Sequence, residues 1–436
     1  MRNKISYKGA LLAIIMCILL LPLIQSRFKL IKVKPLFGLV QAESDTTFSW
    51  PAWFSSRFQY KREKYLNDSS GLREIYIRIH NQIDFTVFKK IDNTGIISGK
   101  DGTLFSIDYA KAYAGSDYIG IDAIVDKVKK LRHIQDILQT RNKTLIVLLA
   151  PGKASYEPEL LPDFYRTGRI NNYVVLTKII KGYGLNCIDF NDYFRKQRNK
   201  AKYPLYTKYT AHWSRYGVCL AGDSIVKYIE RIRNIDMVHP DMSVINVGEA
   251  EGGEVELENE MNLLFDLKHE KVGIPVIKDI KDSTKAMPKL FFIGDSYFWN
   301  LAVFFNFWNE FSNLTFCYYG SDIYRKGGEG VLHKSDINLK DEIDKADVII
   351  LESTELNYDR IGWWFSDEVG QLLITDGLSK YWTSPEYITL LRNTKENLKS
   401  QPQAFKDIVI KAKNRKISVD SMLTLDAIWC IEHQAN

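Results

Sequence analysis

The chain has 436 residues, 45% of them hydrophobic, which suffices for a large buried core and excludes an intrinsically disordered protein. Its formal charge of +6 does not indicate a nucleic-acid partner, because seven of the 59 bases and none of the 53 acids fall within residues 1–40, leaving the remainder close to neutral. Cys17, Cys187, Cys219, Cys317 and Cys430 show neither a disulfide framework nor metal-ligand spacing, so no metal and no cofactor is expected.

Arg2 and Lys4 precede an uncharged run from Ala10 to Ile24, the layout of an export signal. The run is shorter than the ~20 residues of an ordinary spanning helix, although Gly9 and the residues around Gln25 can extend it. No small-x-small cleavage site follows closely, so residues 1–26 are expected to stay as a signal anchor or transmembrane helix. Lys and Arg flank the run on both sides, so export is inferred from its position rather than from charge asymmetry. Residues 27–56, with Phe48, Trp50, Trp53 and Phe54 but no period, read as a stalk.

Folding begins near Arg57. Ile75, Ile79, Ile83 and Val87 recur every fourth residue and predict an amphipathic helix over 72–88. Gly95, Gly99 and Gly102 around Leu104-Phe105 predict a small β-hairpin, and Val125, Val128, Leu131, Ile134, Ile137 and Leu138 a helix over 122–140. Strand and helix then alternate: a strand over 144–149 ending at Ala150-Pro151-Gly152-Lys153, a helix over 173–183, a strand over 186–188, and a helix capped by Ser214. Residues 234–285 break this rhythm and read as an insertion or a small antiparallel unit. It resumes with a strand into Gly294-Asp295-Ser296, strands over 314–318 and 347–351, and a helix near 339–345. The expected domain therefore spans 57–380, followed by a helical segment over 381–436.

Gly294-Asp295-Ser296 sits where a buried strand turns into a helix, so Ser296 is either a plain N-cap or a nucleophile beside unpaired backbone N–H groups. A serine needs a base, and among seven histidines His212 stands out, just before a helix start in Thr210-Ala211-His212-Trp213-Ser214.

Together these motifs resemble the SGNH hydrolase-like family of alginate O-acetyltransferases and their relatives, which carry an Asp-x-His-Trp motif. Gly99-Lys100-Asp101-Gly102-x-Leu104-Phe105 and Pro151-Gly152-Lys153 followed by Glu157-Pro158-Glu159-Leu160-Leu161-Pro162 agree, over residues 57–365. The resemblance implies a permuted α/β/α sandwich with a mainly parallel sheet, held outside the cytoplasmic membrane (periplasm or cell envelope). In it a serine accepts an acetyl group from a membrane-bound donor protein and passes it to a polysaccharide. It makes Ser296 the nucleophile and His212 the base. The family's third member is an Asp two residues before the His, where this chain has Thr210. A hydroxyl there supplies no charge, so the site is a Ser–His dyad, or borrows Glu352, Glu355 or Asp189, or has lost catalysis. A carbohydrate O-acetylesterase and a glycan-binding or assembly protein are the alternatives.

For the oxyanion the Ser296 N–H comes first and Gly152 second. Lys153 is a candidate for an anionic substrate and Trp213 for a sugar platform. Asp295, Tyr297 and Asn300 flank the serine as further oxyanion or substrate-binding candidates.

Overall fold

The structure is a computed structural model that describes residues 7–38, 44–328, 330–369, 385–415 and 419–433. The basic start and the boundary expected at 380 lie outside the described residues. The chain forms two compact units, 1–363 and 364–436.

The first unit opens with a 22-residue helix, Tyr7–Phe28, long and apolar enough to cross a membrane. It is longer than the uncharged run because Tyr7, Lys8 and Gly9 join it before the run and Gln25 to Phe28 after it. Its end is tied down: Gly71 N–H donates to Ser26 Oγ over 2.7 Å, and a Cβ on Gly71 would collide with the Ser26 backbone. The amphipathic helix follows at Arg73–Val87.

A hairpin pairs β1 (Ile96–Ser98) with β2 (Leu104–Ser106), and a helix over Ile121–Thr140 leads to β3 (Thr144–Leu149). That helix buries Val128, Leu131, Ile134 and Leu138 of the expected face, with Ile124 buried in place of Val125, and leaves Val125 and Ile137 half-buried. After β4 (Cys187–Asp189) comes the helix Arg215–Arg233, whose N-cap Ser214 accepts from Gly217 N–H.

The irregular stretch is an antiparallel hairpin, β5 (Ile245–Glu249) with β6 (Lys271–Pro275). Between its strands lies the short helix Glu256–Met261. Then come β7 (Lys289–Gly294), the helix Tyr297–Phe304, β8 (Asn313–Tyr318), β9 (Asp322–Arg325), β10 (Leu332–His333) and β11 (Val348–Ser353).

Seven strands form one sheet in the order β10-β9-β8-β7-β11-β3-β4. From β8 to β4 every pairing is parallel; β9 and β10 extend the sheet antiparallel. The central strands are apolar throughout, as strands covered on both faces must be: Leu145 to Leu149, Leu290 to Ile293 and Val348 to Leu351 are all buried. The short edge strands β9 and β10 carry polar residues and gave no apolar run, which is why the sequence did not announce them.

Parallel strands bring their carboxyl ends to one edge, so the turns after β7, β11, β3 and β4 all open there, where open α/β sheets bind ligands. In the second unit, the helices Pro385–Ser400, Pro402–Arg415 and Val419–His433 pack around Ile408, Ala412, Met422 and Leu423.

Candidate active site

The turn after β7 is held from beneath. Glu352, at the end of the neighbouring β11, lies so close that a Cβ on Gly294 would collide with its carboxyl group, and its Oε2 accepts the Asp295 N–H over 2.8 Å. Burial, reinforced by the Asp295 charge, pushes the Glu352 pKa well above the usual carboxylate range. Asp295 is itself buried. Its Oδ2 accepts from Thr354 N–H (3.1 Å), Thr354 Oγ1 (2.7 Å) and Asn357 Nδ2 (2.7 Å), and its Oδ1 from Tyr297 N–H (3.2 Å). Those bonds use its lone pairs to clamp the turn onto the segment after β11, so Asp295 is not a substrate ligand.

Held this way, Ser296 caps the helix Tyr297–Phe304 by position, yet its hydroxyl makes no capping bond. The hydroxyl faces His212 Nε2 at 2.9 Å. The plain N-cap reading therefore does not describe it. The Ser296 N–H has no partner among the described residues.

His212 lies on the loop before the helix Arg215–Arg233, and its Nδ1 is 2.6 Å from Glu256 Oε1. The same oxygen accepts the Ala211 N–H (2.9 Å) and the His212 N–H (3.1 Å). Thr210 Oγ1 lies 3.2 Å from it and 3.0 Å from Gly253 O, and accepts the His212 N–H over 3.0 Å. Thr210 thus holds the carboxylate and the loop instead of contacting the imidazole. Burial alone would lower the His212 pKa, but the charge and hydrogen bond of Glu256 outweigh it and leave it above 6.5. Burial alone would raise the Glu256 pKa; His212 outweighs that and leaves it below 4.5. The two shifts agree on an ion pair.

Serine hydroxyl, imidazole and carboxylate in this order can deprotonate the serine, fix the imidazole tautomer and stabilise the imidazolium. No sequence motif marks Glu256. It lies in the stretch read as an insertion, on a short helix after Gly252-Gly253, among alternating acids at 254, 256, 258 and 260 that form no helical face. None of the three carboxylates considered in its place reaches His212. Glu352 lies under Gly294, Glu355 is packed so tightly under Gly152 that a Cβ there would collide with it, and Asp189 caps the helix Phe190–Gln197 while accepting from Tyr173.

Four other expected ligands are corrected by their packing. The Gly152 N–H donates to Asn191 Oδ1 over 3.2 Å and is not free for an oxyanion. Lys153 is 1% exposed, and its Nζ donates to the carbonyls of Leu104 (2.9 Å), Thr207 (2.6 Å) and Lys208 (2.7 Å). Burial pushes its pKa down to about 7 against the pull of Glu157, Glu270 and Glu256, and its three donors fasten the His212 loop to β2 instead of meeting substrate. Trp213 is 2% exposed, wedged against Phe190, Phe194 and Tyr297, so it offers no face to a sugar. Tyr297 is fully buried, and its hydroxyl donates to Ala211 O over 3.0 Å, joining the serine helix to the histidine loop. Asn300 is half-buried, with Oδ1 unpaired.

A family model described as "SGNH hydrolase-like domain, acetyltransferase AlgX" matches residues 96–266, a span that holds His212, Thr210 and Glu256 and stops before Ser296. Residues 96–266 are therefore similar to an SGNH hydrolase-like domain. Three solved structures are similar to this chain. The O-acetyltransferase domain of Pseudomonas putida AlgJ is 13% identical over 64% of this chain and 99% of that one, with a TM-score of 0.40. Pseudomonas aeruginosa AlgX is 14% identical over 62% and 67%, with a TM-score of 0.41. Bacillus cereus PatB1, with a sulfonyl adduct, is 13% identical over 62% and 97%, with a TM-score of 0.42. No curated protein matches by sequence.

Proposed function

We propose that this SGNH-like protein is an O-acetyltransferase working through an acyl-serine, with Ser296 as nucleophile, His212 as general base and Glu256 as the carboxylate that orients it. The observation that carries the reading is the continuous chain Ser296 Oγ–His212 Nε2 (2.9 Å) and His212 Nδ1–Glu256 Oε1 (2.6 Å). In the first half-reaction Ser296 Oγ attacks the acetyl carbonyl while its proton passes to His212 Nε2. The donor oxygen then leaves with that proton, and acetyl-Ser296 remains. In the second half, an acceptor hydroxyl gives its proton to His212, attacks the acyl carbon and departs as the new ester. His212 returns the proton to Ser296.

The acceptor we infer is a polysaccharide hydroxyl, following the family resemblance, and the donor a membrane-bound protein that delivers acetyl groups. The helix Tyr7–Phe28 suits a membrane anchor, with the folded part outside the cytoplasm. Water in place of the sugar would make the same site an esterase. The reading as an impaired glycan-binding protein was motivated by Thr210; a carboxylate already bonded to His212 Nδ1 removes that motive. The test is to incubate the protein with an activated acetyl ester and neutral oligosaccharides, and follow acetyl-sugar and free acetate. Acetyl-sugar formation dependent on Ser296 supports transfer, acetate alone supports hydrolysis, and neither product defeats both.

A further inference from the structure

One acyl-transfer requirement is not met by the residues above. A tetrahedral oxyanion is generally held by at least two donors; here the Ser296 N–H is one, and the Gly152 N–H is already engaged. Directly beside the serine turn, β8 runs parallel to β7 with Gly294 opposite Tyr318, so the next residue, Tyr319, emerges next to Ser296. The Tyr319 N–H donates to Gly294 O over 2.8 Å, which holds this residue against the serine turn, its phenol on the Ser296 side.

Tyr319 is also held in an unfavourable backbone conformation, with φ at +47°. A positive φ is rare for a bulky residue and stores backbone strain. Trp363 shares the anomaly, with φ at +52°, and the two rings meet edge to face with centroids 5.8 Å apart. The Trp363 indole N–H donates to Glu352 O over 2.8 Å, which fixes the tryptophan to the strand beneath the serine turn. Tyr319 is nevertheless 43% exposed, so its side chain is open to a ligand beside the serine turn. Burial of the phenol, with the charge of Asp295 nearby, pushes its pKa up to about 12, so it stays protonated and can only donate or accept as a neutral hydroxyl near neutral pH.

We propose that the Tyr319 hydroxyl is the second oxyanion donor of this site, with Trp363 as the residue that positions it; the inference rests on Ser296 being the nucleophile. As Oγ bonds to the acyl carbon, its proton goes to His212 and negative charge moves to the carbonyl oxygen. The Tyr319 O–H turns to that oxygen without giving up its proton. When the intermediate collapses, the bond to the donor oxygen breaks and the hydroxyl is released.

The experiment compares wild type, Tyr319→Phe and Tyr319→Ala in pre-steady-state acylation by a small activated acetyl ester, together with binding of a phosphonate that mimics the tetrahedral state. Tyr319→Phe keeps the ring contact with Trp363 and removes only the hydroxyl. Its acylation rate should fall by about 10²–10³-fold with little change in KM, and phosphonate affinity should fall in parallel. Tyr319→Ala, which also removes the ring contact, should fall at least as far. A Tyr319→Phe acylation rate within about twofold of wild type, or a loss confined to KM, overturns the inference while leaving the nucleophile standing. No acylation in the wild type overturns both.

Discussion

Glu256 Oε1 lies 2.6 Å from His212 Nδ1, although 44 residues separate them in the chain. The carboxylate approaches the imidazole from the arch of the β5–β6 hairpin, opposite to the nitrogen that faces Ser296. It occupies the chemical position that an Asp at residue 210 would otherwise fill, which gives the threonine there a different job.

Glu256→Gln keeps shape and loses charge. The amide can present its N–H₂ to His212 Nδ1 and favour the wrong tautomer, so kcat/KM for an acetyl ester should fall by about 10²–10⁴-fold with little change in KM. Steady-state kinetics on the folded variant checks this.

Thr210→Asp should not improve the enzyme. It would set a second carboxylate beside Glu256 Oε1, where Thr210 Oγ1 now lies at 3.2 Å, and like charges there disfavour ionisation of both. In the Glu256→Gln background the same substitution should recover part of the lost rate, because one carboxylate near the loop is then available. Kinetics of the two singles and the double variant measure the coupling.

The pH behaviour has a definite sign. The His212 pKa is raised above 6.5, so its pairing with Glu256 contributes stability that is fully present below about 6.5 and is lost as pH rises through the folded value. Activity runs the other way, since only the neutral imidazole accepts the Ser296 proton. The acid limb of kcat/KM should lie above 6.5 in the wild type and move to lower pH in Glu256→Gln, where burial is no longer offset by the carboxylate. Tm and kcat/KM against pH test the two halves separately.

Lys153→Met separates anchoring from substrate binding. It strips a charged donor from the carbonyl of Leu104 in β2 and from those of Thr207 and Lys208 in the segment that carries His212; Lys208 O keeps the Leu104 N–H, and each buried acceptor left unpaired costs about 1–3 kcal/mol. Urea unfolding should show a loss of about 2 kcal/mol or more. A variant of wild-type stability with a raised KM for anionic substrates would instead restore the ligand role.

Much of the fold was legible because its signals are local. The apolar runs 144–149 and 289–294 match β3 and β7, and the Ser214 cap marks the start of its helix. Ser296 and His212 were legible as motifs on a strand-end turn and a helix-start loop. Glu256 was not, because its role comes from folding a hairpin back over the His212 loop, a long-range contact with no spacing rule. Lys153 and Trp213 misled for a related reason: their chemistry suits a ligand, and only packing reveals that the lysine is spent on three carbonyls and the tryptophan on three aromatic rings. Tyr319 follows an ordinary strand, and its backbone conformation is invisible in the sequence.

The central claim, a serine nucleophile driven by a His–Glu pair, is tested most directly by mass spectrometry of the protein quenched during turnover of an activated acetyl ester. The account predicts one acetyl group on the peptide containing Ser296 in the wild type, none in Ser296→Ala or His212→Ala, and markedly slower labelling in Glu256→Gln. An unlabelled wild type, or equal labelling at Ser296 in the wild type and the His212 and Glu256 variants, would contradict it.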